Sequence, residues 1–172
     1  MIITGGMYKG RKIKAPDESI TRPTLSKVRM GVFNTLYSIL GNFEGKNFLD
    51  TFGGSGLMGL EALSRGFSEV KVIEKNPKAA SIIKENYKLL GLKPDLVIGD
   101  SLKYISSASE IYDVIYIDPP YRSDIYEKIF EKIKADKNTI IIAEHDIELI
   151  VSNFNLIKTK NYGGKKVSFY KP

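Results

Sequence analysis

The 172-residue sequence contains no cysteine, no tryptophan and a single histidine. Without cysteine there can be no disulfide bonds, thiolate metal sites or cysteine nucleophiles. A single histidine, His145, also excludes a histidine-rich metal centre, so we expect no bound metal. No apolar run approaches the ~20 residues that span a bilayer, and the N-terminus lacks the long apolar stretch of a signal peptide. These absences predict a cytoplasmic protein without a membrane partner.

The composition is that of a globular protein, with 42% hydrophobic and 27% charged residues. The length predicts a single domain over residues 1–172, with a basic N-terminal arm (1–23) and a core (24–172). The net charge of +6 is uneven, because residues 1–30 and 149–172 are strongly basic and the middle is acidic. Two interpretations stay open. The basic ends are either solvated tails or a surface for a polyanion such as a nucleic acid.

Hydrophobic periodicity predicts alternating strands and helices. Strands are predicted at 47–52, 70–74, 96–98, 113–117 and 139–143, and helices at 24–40, from the glycine run to 65, from 77 to 90, and at 123–134. Gly163-Gly164 predicts a C-terminal hairpin of 156–162 with 165–170, and glycines at 5, 6 and 10 predict a small N-terminal hairpin. This alternation predicts an α/β fold with a doubly wound, mostly parallel sheet and an antiparallel hairpin at one edge.

Acidic and glycine-rich residues follow the predicted strands, at the edge where open α/β sheets bind ligands. They are Asp50, Gly53, Gly54, Ser55, Gly56, Glu74, Lys75, Asp100 and Ser101. The glycines allow the backbone to approach a ligand closely, and Glu74 is placed to accept hydrogen bonds from ribose hydroxyls. Gly54, Gly56 and Gly59 also match GxGxxG, so a nicotinamide-dependent dehydrogenase is an alternative. Asp50 and Asp100 have a second interpretation as turn or helix-capping residues.

The tetrapeptide Asp118-Pro119-Pro120-Tyr121 follows the apolar fourth strand. The prolines fix the backbone and remove two donors, which leaves carbonyl oxygens as acceptors. Asp118 and the Pro119 carbonyl could each accept one N–H of an exocyclic amine, while Tyr121 offers a face for stacking a base. The alternative is an ordinary Pro-Pro turn with a capping aspartate. His145 is interpreted as a structural residue.

Together these motifs resemble the class I methyltransferases and, more narrowly, the bacterial RsmD-type family of 16S rRNA guanine-N2 methyltransferases. The resemblance covers nearly the whole chain. It rests on IITGGMYKGRKIK, on Thr21-Arg22-Pro23-Thr24 with Val28-Arg29 and Val32-Phe33-Asn34, on FLDTFGGSGLMGLEALSRG (48–66), and on YIDPPY (116–121). The chain departs from the family at Gly53-Gly54, where Ala-Gly is common, and at Thr51, where Leu is usual.

The resemblance implies a Rossmann-like fold with a seven-stranded sheet. It implies S-adenosylmethionine as methyl donor and the N2 amine of a guanine as acceptor, at position 966 in the family. The partner would be 16S rRNA in a small-subunit assembly particle, and we expect a monomer. By position, Asp50, Gly53, Ser55 and Gly56 would hold the methionine end of the cofactor, Glu74 the ribose, and Asp100 with Ser101 the adenine. Asp118 to Tyr121 would hold the guanine, and Lys9, Arg11, Lys12 and Arg22 would face RNA.

Two other functions share parts of this pattern. A DNA adenine-N6 methyltransferase could use the same Asp-Pro-Pro-Tyr chemistry, although such enzymes usually need a sizeable target-recognition region. A non-catalytic module that binds S-adenosylmethionine or RNA would keep the glycine run and the basic ends.

Overall fold

The computed structural model describes residues 1–15, 25–120 and 124–172. Five helices are present in these residues: α1 (Ser26–Leu40), α2 (Leu57–Ser64), α3 (Pro77–Leu89), α4 (Ser101–Ser107) and α5 (Ile125–Lys132). The strands are β1 (Asn47–Asp50), β2 (Glu69–Glu74), β3 (Asp95–Ile98), β4 (Val114–Ile117), β5 (Ile140–His145), β6 (Asn155–Tyr162) and β7 (Lys165–Lys171).

The seven strands form one sheet in the order β3-β2-β1-β4-β5-β7-β6. Strands β1 to β5 are parallel to their neighbours, whereas β7 is antiparallel to both β5 and β6. The predicted α/β, doubly wound sheet with a C-terminal antiparallel hairpin is therefore confirmed. The order reverses between β1 and β4, and such a switch point opens a crevice at the carboxyl ends of the strands.

A separate hydrophobic core covers each face of the sheet. On one face, α1, α2 and α3 pack against side chains that include Phe48, Val72 and Phe169. On the other face, α4 and α5 pack against Leu49, Ile115 and other strand residues. Neighbouring positions along β1 thus point into different cores, which is the alternation expected of a strand covered on both sides.

Helix ends follow the predicted signals closely. Helix α1 ends at Gly41, whose φ of 78° is in the left-handed region and whose N–H bonds to the Tyr37 carbonyl at 2.9 Å. The Asn76 side chain caps α3 by accepting from the Lys78 N–H at 2.8 Å. Helix α4 was not predicted, because its seven residues are too few to show a periodic pattern. Thr24 and Ser123, the predicted starts of two helices, lie outside the described residues.

The N-terminal arm forms a small hairpin, joined by an antiparallel bridge between Ile2 and Lys12. Its turn lies against the C-terminal end of α2, where the Met7 and Tyr8 N–H groups bond to the Ser64 carbonyl and hydroxyl at 2.7 and 2.9 Å. The predicted N-terminal hairpin is confirmed as a structural element, and it packs on the core rather than extending from it.

A buried ion network fastens this hairpin to two helices. Glu61 of α2 has no exposed surface and accepts hydrogen bonds from the N–H and hydroxyl of Thr4 at 2.6 and 2.8 Å. Its carboxylate also pairs with Arg29 of α1 and Arg65, each at 3.2 Å. Arg29 is 2% exposed and donates to the Ile2 carbonyl at 2.8 Å. One carboxylate therefore links the hairpin, α1 and α2.

In the described parts of the chain, no helix is both long and apolar enough to cross a membrane. The same residues contain no group of three or more His, Asp or Glu side chains that could hold a metal ion.

We predict that Glu61→Gln lowers the free energy of unfolding by about 3 kcal/mol or more, because it leaves two guanidinium groups without their buried counter-charge. Urea denaturation monitored by circular dichroism measures this change. Glu85→Gln is the matched control, since the Lys14–Glu85 pair is more than half exposed and is expected to be worth less than about 1 kcal/mol. Equal, small losses in the two variants would contradict a structural role for the network.

Candidate functional site

The site is organised by the neighbouring carboxyl ends of β1 and β4. Thr51, just after β1, bonds to the Tyr116 carbonyl of β4 through both its N–H, at 3.1 Å, and its hydroxyl, at 2.7 Å. Asp50 lies beside Tyr116 in the parallel register, so Asp118 follows two residues, or about 7 Å, further along. The glycine run and the Asp-Pro-Pro motif therefore begin side by side.

The glycine run forms a tight loop between β1 and α2. A Cβ on Gly53 would lie 2.4 Å from Val72, so only glycine fits this close approach to β2. Gly56 has a φ of 76° and bonds through its N–H to the Gly53 carbonyl at 2.7 Å before α2 begins. This geometry places the predicted cofactor loop, including Gly54 and Ser55, at the carboxyl edge of the sheet.

Glu74 closes over the loop from the end of β2. One of its oxygens accepts the Gly54 N–H at 2.7 Å, and the other accepts the Asn76 N–H at 2.7 Å. Two backbone bonds hold the carboxylate in one orientation while its remaining lone pairs stay available to a ligand. This arrangement can hold a ribose diol.

Asp50 is a buried carboxylate with an unmet hydrogen-bonding need. Its exposed fraction is 1%, and Oδ1 accepts the Phe52 N–H at 3.4 Å. Oδ2 is buried and has no hydrogen-bond partner in the described residues. Burial raises the pKa of Asp50 to about 7, and the charge of Glu74 adds to that rise. A buried acceptor of this kind fits a cationic or N–H-bearing ligand group.

Asp100 and Ser101 lie at the start of α4, and both have structural bonds. Asp100 caps the helix by accepting the Lys103 N–H at 3.0 Å, and it lies 3.7 Å from the exposed ammonium of Lys75. The Ser101 hydroxyl donates to the Thr51 carbonyl, which ties α4 to the cofactor loop. The capping interpretation of Asp100 is confirmed. One third of its side chain stays exposed at the same edge, next to the loop.

The residues after β4 form the other side of the candidate site. Asp118 is partly buried, Pro119 is buried and Pro120 is exposed, while Tyr121 lies outside the described residues. Next to them, Glu144 at the end of β5 is 1% exposed and accepts the Tyr116 hydroxyl at 2.6 Å.

Lys165, the first residue of β7, completes this cluster by pairing with Glu144. Burial alone would lower the pKa of Lys165, but the charge of Asp118 and the hydrogen bond to Glu144 raise it above its usual value. Glu144 lies beside Asp118 at the ends of β5 and β4, so its pairing with Lys165 brings the ammonium next to the Asp-Pro-Pro segment. Neither Glu144 nor Lys165 is indicated by the sequence motifs; the one sign of Glu144 is its position as a carboxylate near the end of an apolar strand.

Three of the other residues singled out from the sequence, Lys9, Arg11 and Lys12, belong to the N-terminal hairpin and not to the segments that follow the strands. Lys9 is in the hairpin turn at the far end of α2, about one helix length, ~12 Å, from the glycine loop. Arg11 donates to the Leu89 carbonyl at the end of α3 at 3.2 Å, and Lys12 is exposed. Arg22 lies outside the described residues. An RNA-facing role for these four stays a prediction.

His145 is bonded through both ring nitrogens, to the Ile147 carbonyl at 2.7 Å and the Ser168 hydroxyl at 2.8 Å. Burial lowers its pKa. Both observations agree with the interpretation of His145 as a structural residue.

A separate cleft of about 610 Å³ lies at the opposite end of α2, between the arm and the end of α1. Its lining includes Phe33, Tyr37, Phe43 and Arg65. None of the predicted site residues borders it, so the cleft is not the candidate catalytic site.

Comparison with known families assigns the chain. The family model described as Conserved hypothetical protein 95 matches residues 1–171. This chain belongs to that family, the RsmD family of methyltransferases. The resemblance drawn from the sequence motifs is thereby confirmed, and a nicotinamide-dependent dehydrogenase is excluded as the family.

Individual relatives agree with this assignment. YlbH of Bacillus subtilis (strain 168), which is provisionally named as an rRNA methyltransferase, is 32% identical, and the match covers 99% of this chain and 98% of that protein. Ribosomal RNA small subunit methyltransferase D of Escherichia coli (strain K12) is 28% identical over 94% of this chain and 84% of its own length. The solved structure of yhhF from Escherichia coli, provisionally named as a methyltransferase, is 24% identical and superposes with a TM-score of 0.86, covering 99% of this chain and 97% of that one. At this identity the structural match shows the fold.

We predict that Asp50→Asn stabilises the ligand-free protein above pH 7. The pKa of Asp50 is about 7 in the folded chain, against about 3.9 when unfolded. The folded state therefore binds the proton more tightly, and wild-type stability falls as pH rises from about 4 to about 7. The asparagine variant should exceed the wild type by about 3 kcal/mol at pH 8 and match it at pH 4, as measured by urea denaturation.

Asp95→Asn is the control for this measurement, because Asp95 is an exposed carboxylate at the opposite edge of the sheet. It should change the free energy of unfolding by less than about 0.5 kcal/mol at both pH values. A pH-independent difference between Asp50→Asn and the wild type would contradict the raised pKa.

Proposed function

We propose that this chain transfers the methyl group of S-adenosylmethionine to the exocyclic N2 amine of a guanine in 16S rRNA. The observation that carries the proposal is the pairing of β1 with β4. It sets a buried, partly unsatisfied carboxylate, Asp50, about 7 Å along the sheet from the Asp118-Pro119 acceptors. A donor site and an acceptor site at this separation suit direct group transfer.

The residues after β1 and β2 fit S-adenosylmethionine. This cofactor supplies a methyl group on a positively charged sulfonium, and its methionine end carries an ammonium. Asp50 would provide the counter-charge for that end, with the N–H groups at the start of α2 facing its carboxylate. Glu74 would accept from the ribose hydroxyls, and Asp100 with Ser101 and Lys75 would border the adenine.

The residues after β4 fit a planar amine. The Asp118 carboxylate and the Pro119 carbonyl would each accept one N–H of the guanine N2 group. Two acceptors hold the nitrogen lone pair toward the methyl group, and positioning of this kind supplies much of the rate of a transfer reaction. As the N–C bond forms, the bond between the methyl group and the sulfonium sulfur breaks with its electron pair going to sulfur, and the proton that the amine loses would go to the Asp118 carboxylate. Tyr121 would stack on the extruded base.

The substrate assignment rests on the relatives, one of which is named a small-subunit rRNA methyltransferase and another provisionally an rRNA methyltransferase. We propose that a monomer of this chain acts in the cytoplasm on 16S rRNA within a small-subunit assembly particle, at the guanine equivalent to position 966.

We predict that Asp118→Asn lowers kcat for methyl transfer at least about 100-fold, because the amide removes the proton acceptor. The affinity for S-adenosylmethionine, measured by isothermal titration calorimetry, should stay within about threefold. Asp95→Asn carries the same chemical change far from the site and should retain full activity. Undiminished transfer in the Asp118 variant would remove this residue from the mechanism.

The acceptor is tested with tritium-labelled S-adenosylmethionine on three substrates: free 16S rRNA, small-subunit particles from cells that lack this protein, and duplex DNA. We expect label in the particles, and digestion to nucleosides should release N2-methylguanosine. Label only in DNA, as N6-methyladenine, would overturn the proposal. Binding of S-adenosylmethionine without transfer to any of the three would favour a non-catalytic module.

A further inference from the structure

Some lysines of this structure are paired with carboxylates, such as Lys14 with Glu85, Lys75 with Asp100 and Lys128 with Asp124. Many other exposed or partly exposed lysines among the described residues have no ion pair, and three of these belong to α1 and β6, which contact each other. In the parts of the chain that the structure describes, Lys27, Lys158 and Lys160 form no ion pair.

These three lysines lie on one side of the sheet. In the β6–β7 register, Lys158 is opposite Phe169 and Lys160 is opposite Val167. Directly paired residues share a face, and both partners belong to the core that α1 covers. The two lysines of β6 therefore project beside α1. They are two positions apart in the sequence, so their Cα atoms are about 7 Å apart along the strand.

The end of β6 is fixed against α1 by Tyr162. A Cβ on Gly31 of α1 would lie 1.7 Å from the Tyr162 hydroxyl, so the missing side chain at Gly31 is what admits the ring. Lys27 lies one helical turn before Gly31 and is exposed. Lys27, Tyr162, Lys160 and Lys158 thus follow one another along a strip, which we name the α1–β6 strip.

No carboxylate residue belongs to the elements that form this strip. Helix α1 contains no Asp or Glu, and neither does the segment 149–172, which carries five lysines. The strip also continues to the acceptor edge, because Lys165 is opposite Tyr162 across the hairpin turn and pairs with Glu144, which lies beside Asp118. An uncompensated positive strip that ends at an amine-acceptor site matches a polyanion that enters that site.

We propose that the α1–β6 strip binds the phosphate backbone of the RNA strand that flanks the methylated nucleotide. This inference rests on the proposed function, since it names how the same substrate is held. Ammonium groups spaced regularly along one strand suit successive phosphates, and such contacts set affinity and register rather than base identity. Tyr162 would lie at the point where the strand turns into the acceptor site.

Lysines on an edge strand also discourage pairing with another chain, and β6 is an edge strand. That role accounts for charge on β6 alone. It does not account for Lys27 on α1, for the absence of carboxylates on both elements, or for the continuation of the strip to Asp118. The two roles give different results in a binding experiment.

The test is the double variant Lys158→Gln/Lys160→Gln in the full chain. Its matched control is Lys84→Gln/Lys88→Gln, which removes two exposed lysines from α3 on the opposite flank of the sheet. Binding to a fluorescein-labelled 16S rRNA transcript is followed by anisotropy from 50 to 300 mM KCl. In parallel, KM and kcat are measured on small-subunit particles, and affinity for S-adenosylmethionine is measured by calorimetry.

We expect the β6 variant to bind the transcript ~10-fold more weakly at low salt. The plot of log K against log salt concentration should become less steep by about 1.4, because each lost phosphate contact on a single strand reduces the slope by about 0.7. KM for particles should rise by a similar factor, with kcat and the affinity for S-adenosylmethionine unchanged. The α3 control should stay within twofold of wild type.

Equal effects in the two variants would reduce the strip to a general charge effect and overturn the proposal. The proposal would also be overturned if the β6 variant bound RNA as the wild type does but self-associated on size-exclusion chromatography. That is the result expected if the lysines only protect the edge strand. Failure of the wild type to methylate particles would count against the proposed function. The anisotropy measurement would still decide whether the strip binds RNA.

Discussion

The pairing of β1 with β4 in the middle of the sheet is the contact on which the site depends. Thr51 and Tyr116 are 65 residues apart in the sequence, yet Thr51 bonds twice to the carbonyl of Tyr116. Helices cover opposite faces on either side of this pair, so neither crossover blocks the crevice above it. The glycine loop follows one strand and the Asp-Pro-Pro segment follows the other. A change in register of one residue would separate them and expose one of the two cores.

The elements with clear periodicity could be predicted from the sequence, because burial on two faces leaves long apolar runs in the strands and amphipathic spacing in the helices. Helix α4 could not, since it has only seven residues and depends on the Asp100 cap and the bond from Ser101 to Thr51. The hairpin was predicted at one edge, but its sequence carries no sign that β7, rather than β6, joins β5.

The sequence predicts those residues of the candidate site that come at the end of a strand or directly after it. Asp50, Glu74 and Asp118 are each the last residue of a strand or the first residue after it, and parallel strands bring such positions to a common edge. The pairing of Glu144 with Lys165 could not be predicted, because it depends on the antiparallel register of β5 with β7, which no local pattern encodes. The motif residues Arg29, Glu61 and Arg65 carry the family resemblance, but in the structure they form a buried ion network away from the chemistry.

The position of β7 has a consequence for the order of assembly. Strand β7 follows β6 in the sequence but lies between β5 and β6 in the sheet, so β6 has no sheet neighbour until residues 165–171 are available. Synthesis proceeds from the N-terminus, and the first five strands can pair while the C-terminal segment is still being made. A nascent chain can therefore form the glycine loop and the Asp-Pro-Pro turn but lacks the Lys165–Glu144 contact beside them. This edge of the sheet therefore becomes complete only after β7 has emerged and inserted between β5 and β6.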